Sequence, residues 1–221
     1  MRETVRTGGA RPLRADARNN RGRILAAARD VFVELGPAAP LEEISRRAGT
    51  GIATLYRRFP DRHALMRAVV LDALRRTADA AGLAAADGPD PFAALAGYMH
   101  RVLDIRTAAV IPALLEEISL DDEETGRARE ESTRLVQDLV EAAHRAGTLR
   151  PDVTFGDIGL LVVRLSRPLP GRFTRELDNR LAHRHLDLLI NGLRTTPDPA
   201  AVIEGPGLTL DDLQAMRPER S

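Results

Sequence analysis

Apolar residues recur at helical spacing along most of the chain, and no segment shows the alternation typical of a half-buried strand. The first such segment runs from about residue 20 to residue 35 and ends at Gly36-Pro37, a pair that stops a helix. Its apolar positions, three or four residues apart, are Ile24, Leu25, Ala28, Val31, Phe32 and Leu35. The pattern predicts an amphipathic helix, and its repetition along the chain predicts an all-α fold.

Two short helices are predicted on either side of Gly49-Thr50-Gly51. The first, LEEISRRA, begins at Leu41, and the second is IATLYRRF. Two short helices joined by a glycine-bearing turn are typical of a helix-turn-helix, whose second helix enters the DNA major groove. We therefore predict a DNA-binding domain over residues 20–67. Its expected core consists of Leu41, Ile44, Ala48, Leu55, Phe59, Ile24, Phe32 and Leu35.

The rest of the chain also has helical periodicity. Asp61 is a plausible N-cap for a long helix that runs to about Ala86, and residues 87–91 form a linker rich in Gly, Pro and Asp. Further helices are predicted at about 92–105, 108–120, 123–146, 155–165 and 173–193. Residues 68–196 are thus a second helical domain. A disordered basic arm is expected at 1–19, before the DNA-binding domain, and a tail at 197–221, which could hold a short helix at 210–216.

The net charge of zero conceals a split along the chain. Residues 1–67 carry 14 arginines and 7 acidic residues, a net charge of +7, whereas residues 68–221 carry 18 arginines and 25 acidic residues, a net charge of −7. The codon bias of a GC-rich genome explains why lysine is missing, but it does not explain the split. The asymmetry predicts that only the N-terminal part meets a polyanion.

Several function classes are excluded by what the chain lacks. Without cysteine there is no disulfide, thiolate chemistry or cysteine-bound zinc. No stretch reaches the roughly 20 apolar residues that span a bilayer, and no signal-peptide core follows the first residues, so we expect a cytoplasmic protein without membrane contact. The five histidines form no metal set, and no nucleophile–base pair or phosphate-binding loop is present. We predict no catalytic residue, no metal and no cofactor, and hence no enzyme.

The turn and the second short helix supply the candidate DNA-binding residues. Small and polar positions would face the base edges, where a threonine reaches a thymine methyl or a base acceptor: Thr50, Gly51, Ile52, Ala53 and Thr54. Side chains placed to bind phosphates are Tyr56, Arg57, Arg58 and Arg62. A solvated arginine face beside a tight turn is the alternative. It suits the arginine pair alone better than the whole 25-residue pattern.

The segments RILAAARDVFVELG and LEEISRRAGTGIATLYRRFPDRHALMRAVV resemble the DNA-binding domain of the TetR (tetracycline-repressor-like) family over about residues 20–70. The resemblance implies a homodimer with an N-terminal three-helix DNA-binding domain and a helical C-terminal domain for ligand binding and dimerisation. It places groove contacts on Thr50, Ile52, Ala53 and Thr54, and phosphate contacts on Tyr56, Arg57, Arg58 and Arg62.

The chain departs from the family pattern at three places. Gly51 stands where a serine cap is common, Ile52 where a polar residue is common, and Pro40-Leu41 where a threonine pair is common. A phosphate contact could therefore be missing, and Ile52 could make an apolar base contact instead. Arg14, Arg18 or Arg21 of the basic arm could compensate.

The second half resembles the C-terminal domain of an SbtR-like subgroup, on the stretches AGTLRPDVTFGDIGLLVVRL and RHLDLLINGLR. The helix at 155–165 and the last helix, with Leu177, Leu181, Leu186, Leu188, Leu189 and Leu193, form the expected dimer pair of a four-helix bundle, unless these residues form the intrachain core.

A ligand pocket is expected between the helices of the second domain. Its candidate residues are Phe92, Tyr98, Met99, Val102, Arg106, Leu114, Ile118 and Arg164, although simple core is the alternative for each apolar member. Arg106, Arg164 and His100 need polar partners, either an acidic ligand or, for a salt bridge, Glu116 or Glu117.

The helix-turn-helix pattern predicts a DNA-binding regulator, and the family resemblance implies that it is a dimeric repressor released from a palindromic DNA operator by an unknown small molecule. A helical protein-interaction module with incidental DNA binding is the alternative, and an enzyme is the third hypothesis, which lacks any catalytic constellation.

Overall fold

The computed structural model describes residues 10–114, 117–118, 122–171 and 173–196. Over this part of the chain the protein forms nine α-helices and no strand, with one isolated bridge between Leu149 and Arg194. The predicted all-α class is confirmed. The helices are α1 (Ala10–Leu35), α2 (Leu41–Ala48), α3 (Ile52–Arg58), α4 (Arg62–Ala86), α5 (Pro91–Ile105), α6 (Thr107–Leu114), α7 (Glu123–Arg145), α8 (Phe155–Leu165) and α9 (Arg175–Leu193).

Helix α1 begins ten residues before the predicted start at residue 20. Residues 10–19, predicted as part of a disordered arm, are helical, so that part of the prediction was wrong. The one helix breaker there, Pro12, lies in the first turn, where a proline costs no intrahelical hydrogen bond. Arg14 and Arg18 consequently belong to α1. Residues 1–9 of the predicted arm and the tail at 197–221 lie outside the described residues.

Side-chain caps account for the starts of α4, α5, α7, α8 and α9. The side chain of Asp61 accepts a hydrogen bond from the Ala64 amide, as expected of an N-cap. Thr154 and Asp157 form a capping box at the start of α8. Helix α6 was predicted to run to residue 120, but it ends at Leu114, where the Glu117 amide closes a turn on the Leu114 carbonyl.

Two hydrophobic cores lie along α4. The N-terminal core contains residues of α1, α2, α3 and the first half of α4, together with Val110, Leu114 and Ile118 from α6 and the segment after it. The C-terminal core contains the second half of α4 with α5, α7, α8 and α9. Helix α4 therefore belongs to both cores, and α6 ties the region after α5 to the N-terminal core. The predicted domain boundary at residue 67 falls inside α4.

Leu35, predicted to lie in the N-terminal core, is 55% exposed. It is the last residue of α1, and the chain turns away directly after it at Gly36, whose φ is +83°. The other predicted members of that core are buried. The helix period thus identified the core face correctly except at its end.

Candidate DNA-binding site and C-terminal domain

The turn between α2 and α3 is held by an arginine of α1. Gly49 has the left-handed φ of +62° that ends α2, and the guanidinium of Arg23 donates to the carbonyls of Ala48 (2.6 Å) and Gly49 (3.1 Å). A Cβ atom on Gly49 would lie 2.5 Å from Nη2 of Arg23. The left-handed backbone therefore favours glycine at this position, and a larger residue would also displace the guanidinium of Arg23 from the two carbonyls.

Sequence reasoning missed Arg23, because 25 residues separate it from the carbonyl of Ala48 that it binds. Its neighbour Arg21 lies over the ring of Phe59, with Cζ 5.5 Å from the ring centroid. Both arginines lie on α1 and act on the helix-turn-helix from outside the motif. The apolar period of α1 identifies the residues of its buried face, and neither arginine belongs to that pattern.

Helix α3 is anchored by one buried residue and exposes most of the others. Leu55 is buried in the N-terminal core, whereas Ala53, Tyr56, Arg57 and Arg58 are exposed, Tyr56 by 48%. Because Leu55 is the one fully buried residue of this seven-residue helix, little of the helix surface is used in packing. Most of its side chains are thus available to a partner.

The first turn of α3 shows what replaces the common serine cap. Gly51 is the N-cap residue with an extended backbone and no side-chain cap, and its carbonyl accepts from the amides of Thr54 (2.9 Å) and Leu55 (3.2 Å). Ile52 is partly buried against the N-terminal core. Its apolar character therefore has a packing reason.

Polar residues of the same region are partly engaged within the chain. The guanidinium of Arg57 donates to the Thr54 hydroxyl at 2.8 Å, so these two candidate contacts form one unit. The Thr50 hydroxyl oxygen is buried and has no hydrogen-bond partner in the chain. Arg62 donates to the carbonyls of Pro37 (2.8 Å) and Ala39 (2.6 Å), so it ties the loop between α1 and α2 to the start of α4.

The arginines of α2 are neutralised by carboxylates, unlike those at the end of α3. Glu43 accepts from Arg46 (2.7 Å) and Arg47 (2.7 Å), and Arg47 also donates to Glu34 at 2.5 Å. These hydrogen bonds from Arg46 and Arg47 lower the pKa of Glu43 to about 2. Arg57 and Arg58 at the end of α3 have no such ion pair within the described part of the chain.

The residues predicted to line a ligand pocket do not all lie in one core. Phe92, Tyr98, Met99 and Val102 are buried in the C-terminal core, whereas Leu114 and Ile118 are buried in the N-terminal core. Arg164 is exposed on α8. The helical period places all the apolar ones correctly inside the protein, but it cannot tell which of two cores receives them. A single ligand pocket lined by all of these residues therefore stays a prediction.

Arg106 has a partner that the sequence did not indicate. Its guanidinium lies 3.2 Å from the carboxylate of Asp178 on α9, both groups are buried, and the second carboxylate oxygen accepts from the Leu169 amide at 3.0 Å. The predicted salt bridge to Glu117 or Glu116 is replaced by this pair; Glu116 lies outside the described residues. Arg106 has a φ of +49° and ends α5, so the pair joins the α5–α6 corner to α9.

Surface grooves in the described part of the chain are lined by other residues. One of about 280 Å³ lies between α4 and α5, and one of about 390 Å³ lies between α4 and α7. Their linings are mainly charged, with Arg76, Asp79, Arg101 and Asp104 in the first. No predicted ligand residue belongs to either groove.

Apolar side chains are exposed along α8 and α9. Leu160 is 61% exposed and Leu188 50%, and Phe155 and Leu189 are also exposed. In contrast, Leu181 and Leu186 of the same predicted dimer pair are buried within the chain. The structure therefore divides the leucines of α9 between the intrachain core and an outer apolar face.

Comparison with known proteins agrees with this architecture. The model of bacterial regulatory proteins of the tetR family matches residues 24–69, and the model of the SbtR-like transcriptional regulator C-terminal domain matches residues 90–195. The comparison with curated proteins found no match. In the described residues no helix is both long and apolar enough to cross a bilayer.

Solved structures give the same family. A TetR transcriptional regulator from Streptomyces coelicolor is 32% identical, over 79% of this chain and 98% of that chain, with a TM-score of 0.55. A TetR transcription regulatory protein from Mycobacterium vanbaalenii is 33% identical, over 83% and 100%, with a TM-score of 0.58. The regulator LfrR from Mycobacterium smegmatis, in complex with proflavine, shares the fold at 24% identity over 77% and 96%, with a TM-score of 0.57.

An N-terminal helix-turn-helix joined to a helical C-terminal domain defines a class of DNA-binding transcriptional regulators. Within that class the chain belongs to the TetR family, and its second half is of the SbtR-like type. Both resemblances seen in the sequence are confirmed.

Proposed function

We propose that the protein is a dimeric repressor that binds a palindromic operator through α3 and leaves it when a small molecule binds the C-terminal domain. The observation that carries the proposal is the exposed face of α3, with Tyr56, Arg57 and Arg58 beside a turn fixed by Arg23. As a regulator of bacterial genes it would act in the cytoplasm.

Base contacts and phosphate contacts are assigned to different residues of α3 and of the turn before it. The base edges in the major groove are faced by Gly51, Ala53 and Thr54, and by the exposed parts of Thr50 and Ile52. The buried hydroxyl of Thr50 makes no base contact. Tyr56, Arg57 and Arg58 bind phosphates on the flanking strand. Arg62 already donates to two backbone carbonyls, so its contribution is to place α4, with a phosphate contact left to its remaining donors.

The exposed apolar face of α8 and α9 supports a homodimer. Leu160, Leu188 and Leu189 would pack against the same residues of a second copy, because two helices from each subunit make a four-helix bundle. Such a dimer carries two copies of α3, and a two-fold axis between them requires a palindromic operator.

Helices α4 and α6 supply a path for release. Val110 and Leu114 of α6 pack in the N-terminal core, and α6 follows directly after Arg106, which is bound to Asp178 of α9. A ligand that moves α5 or α9 would therefore move α6 and with it α1 and α4. LfrR has been solved with proflavine, so we propose a small organic molecule as effector. Release needs only tighter ligand binding to the non-DNA state, and such coupling is typically about 1–3 kcal/mol.

Binding of the full-length protein to the promoter DNA of its own gene tests the proposal. Arg58→Ala and Tyr56→Phe should weaken binding to every DNA sequence, and Arg58→Ala should reduce the salt slope by about 1. Thr54→Ala should relax base preference because it removes a proposed base contact. It also removes the hydrogen bond that Arg57 donates to the Thr54 hydroxyl. Arg134→Ala on α7, an exposed arginine paired with Asp138, is the matched control. Binding without sequence preference, unchanged in all variants, would instead support a protein-interaction module.

A further inference from the structure

Two histidines meet across the seam between α5 and α9. The rings of His100 and His183 are nearly parallel and meet edge to edge, with centroids 5.1 Å apart and 5° between their planes. Their Nδ1 atoms are 2.8 Å apart. The sequence separates these residues by 83 positions, so no spacing rule brings them together.

The other nitrogen of each ring faces a carboxylate. Nε2 of His100 lies 3.0 Å from Asp187, and Nε2 of His183 lies 2.8 Å from Asp104. An ionised carboxylate only accepts hydrogen bonds, so both Nε2 atoms carry hydrogen. A neutral imidazole has one N–H, and two neutral rings would therefore point two Nδ1 lone pairs at each other. The arrangement therefore needs one cation, either a proton or a metal ion, between the two Nδ1 atoms.

The distance decides which particle fits. A separation of 2.8 Å is that of a charge-assisted N–H···N hydrogen bond. Two imidazoles that bind one tetrahedral zinc ion at about 2.0–2.1 Å would hold their nitrogens about 3.3 Å apart. Among the described residues there is also no group of three metal-binding side chains. A proton fits better than a metal ion.

We propose that His100 and His183 share one proton between their Nδ1 atoms and that the pair acts as an acid sensor in the α5–α9 seam. A second proton would place two N–H groups and two like charges head to head at 2.8 Å, so the rings would have to separate. Asp187 and His183 of α9 and Asp104 of α5 are the groups whose charge acts most strongly on His100.

The direction of titration agrees with this geometry. Burial lowers the pKa of His100 below its ordinary value of 6.5, and Asp187 opposes that effect only in part. A histidine whose pKa is lower in the folded protein contributes stability above its ordinary pKa, and this stability is lost as the pH falls through the folded pKa. Asp187 directly precedes the exposed Leu188 and Leu189, so opening of the seam would also disturb the outer face of α9.

Nitrogen-15 NMR of the histidines in the full-length protein tests the shared proton directly. At about pH 7 we expect hydrogen on both Nε2 atoms and one strongly downfield proton coupled to the Nδ1 atoms. Two ordinary neutral rings with no shared proton would overturn the proposal. This measurement needs neither DNA nor effector, so it is independent of the proposed function.

Thermal unfolding from about pH 6.5 down to about pH 5, below the ordinary pKa of histidine, tests the sensor, because only there does the unfolded pair of histidines bind more protons than the folded pair with its one shared proton. We expect the midpoint of wild type and of the control His185→Gln, an exposed neighbour on α9, to fall more steeply than that of His100→Gln. Equal slopes in all three proteins would overturn the proposal, as would stabilisation by Zn²⁺ of wild type but not of His100→Gln. If His100→Gln does not fold, the NMR spectrum of wild type still decides.

Discussion

The DNA-binding domain and the C-terminal domain differ in how far apart in sequence their interacting residues lie. At the DNA-binding end the candidate contact residues lie within 13 consecutive positions, 50–62, on a short helix and the turn before it. In the C-terminal domain the polar contacts join α5 to α9 over 72 residues for Arg106 and Asp178, and over 83 residues for the two histidines. A local site is set by local spacing, whereas a site made across helices depends on how the helices pack.

The largest effect should come from breaking the buried pair of the C-terminal domain. Asp178→Ala leaves the charge of Arg106 buried without its partner and should cost about 3–5 kcal/mol in the free energy of unfolding. Asp138→Ala removes the exposed partner of Arg134 and should cost less than about 1 kcal/mol. Urea denaturation measures both, and equal losses would contradict a buried, tightly held α5–α9 contact.

At the DNA-binding end the largest loss of stability should come from the anchor of α3. Leu55→Ala removes the one buried residue of that helix and should cost about 2–5 kcal/mol, because it leaves a cavity in the N-terminal core. Leu35→Ala changes a leucine that is 55% exposed and should stay within about 0.5 kcal/mol. A similar cost for the two leucines in urea denaturation would mean that α3 is not anchored as described.

A smaller effect is expected at the turn. Arg23→Met removes the hydrogen bonds to the carbonyls of Ala48 and Gly49 and should cost about 1–3 kcal/mol. DNA affinity should fall as well, because the turn sets the position of α3. Arg21→Met, which loses only the contact with the Phe59 ring, should cost less than about 1 kcal/mol. Urea denaturation and DNA binding should be measured for both variants. A larger loss for Arg21→Met than for Arg23→Met would contradict the role of Arg23 in holding the turn.

The smallest effect concerns acid stability of α2. Since Arg46 and Arg47 hold the pKa of Glu43 at about 2, below its ordinary 4.5, this carboxylate stabilises the folded state above pH 4.5 and loses that effect as the pH falls towards 2. Glu43→Gln should therefore be less stable than wild type near neutral pH, and the difference should shrink on acidification. A gap between the two unfolding curves that stays constant with pH would speak against the ion pairs with Arg46 and Arg47.

Much of the fold could be predicted from the sequence, because the helix period and the capping signals are local. Helices α2 and α3, the Asp61 cap and the long α4 are examples. The start of α1 could not be predicted, since a polar helix without an apolar period gives the same pattern as a disordered arm. Arg23 and the partner of Arg106 were missed because tertiary packing, not spacing, brings each of them to its contact.

The C-terminal domain shows the same limit for its apolar residues. Leu114 and Val102 both follow an apolar pair three and four positions earlier on the same helix, yet they lie in different cores. The exposed Leu188 and the buried Leu186 are only two residues apart on α9. The apolar period predicts where a helix lies. It does not predict which of its apolar residues pack in the core, against a second copy or against a ligand, because that depends on the tertiary and quaternary contacts of each helix face.

Light scattering of full-length protein offers a separate check on the outer face of α8 and α9. Leu188→Arg, at a leucine that is 50% exposed, should shift the molar mass from dimer to monomer. Leu83→Arg, at a leucine of α4 that is 59% exposed, should leave the dimer intact. The reverse pattern would place the dimer contact on α4.

Selection of bound sequences from random DNA tests the central claim, that α3 reads a palindromic operator as part of a dimer. We expect an enriched inverted repeat whose half-sites are about one helical turn of DNA, or a multiple of it, apart. Thr54→Ala should relax the same positions in both half-sites, because both copies of α3 make the same contacts. Enrichment of no sequence, or of one asymmetric site that Thr54→Ala leaves unchanged, would contradict the claim.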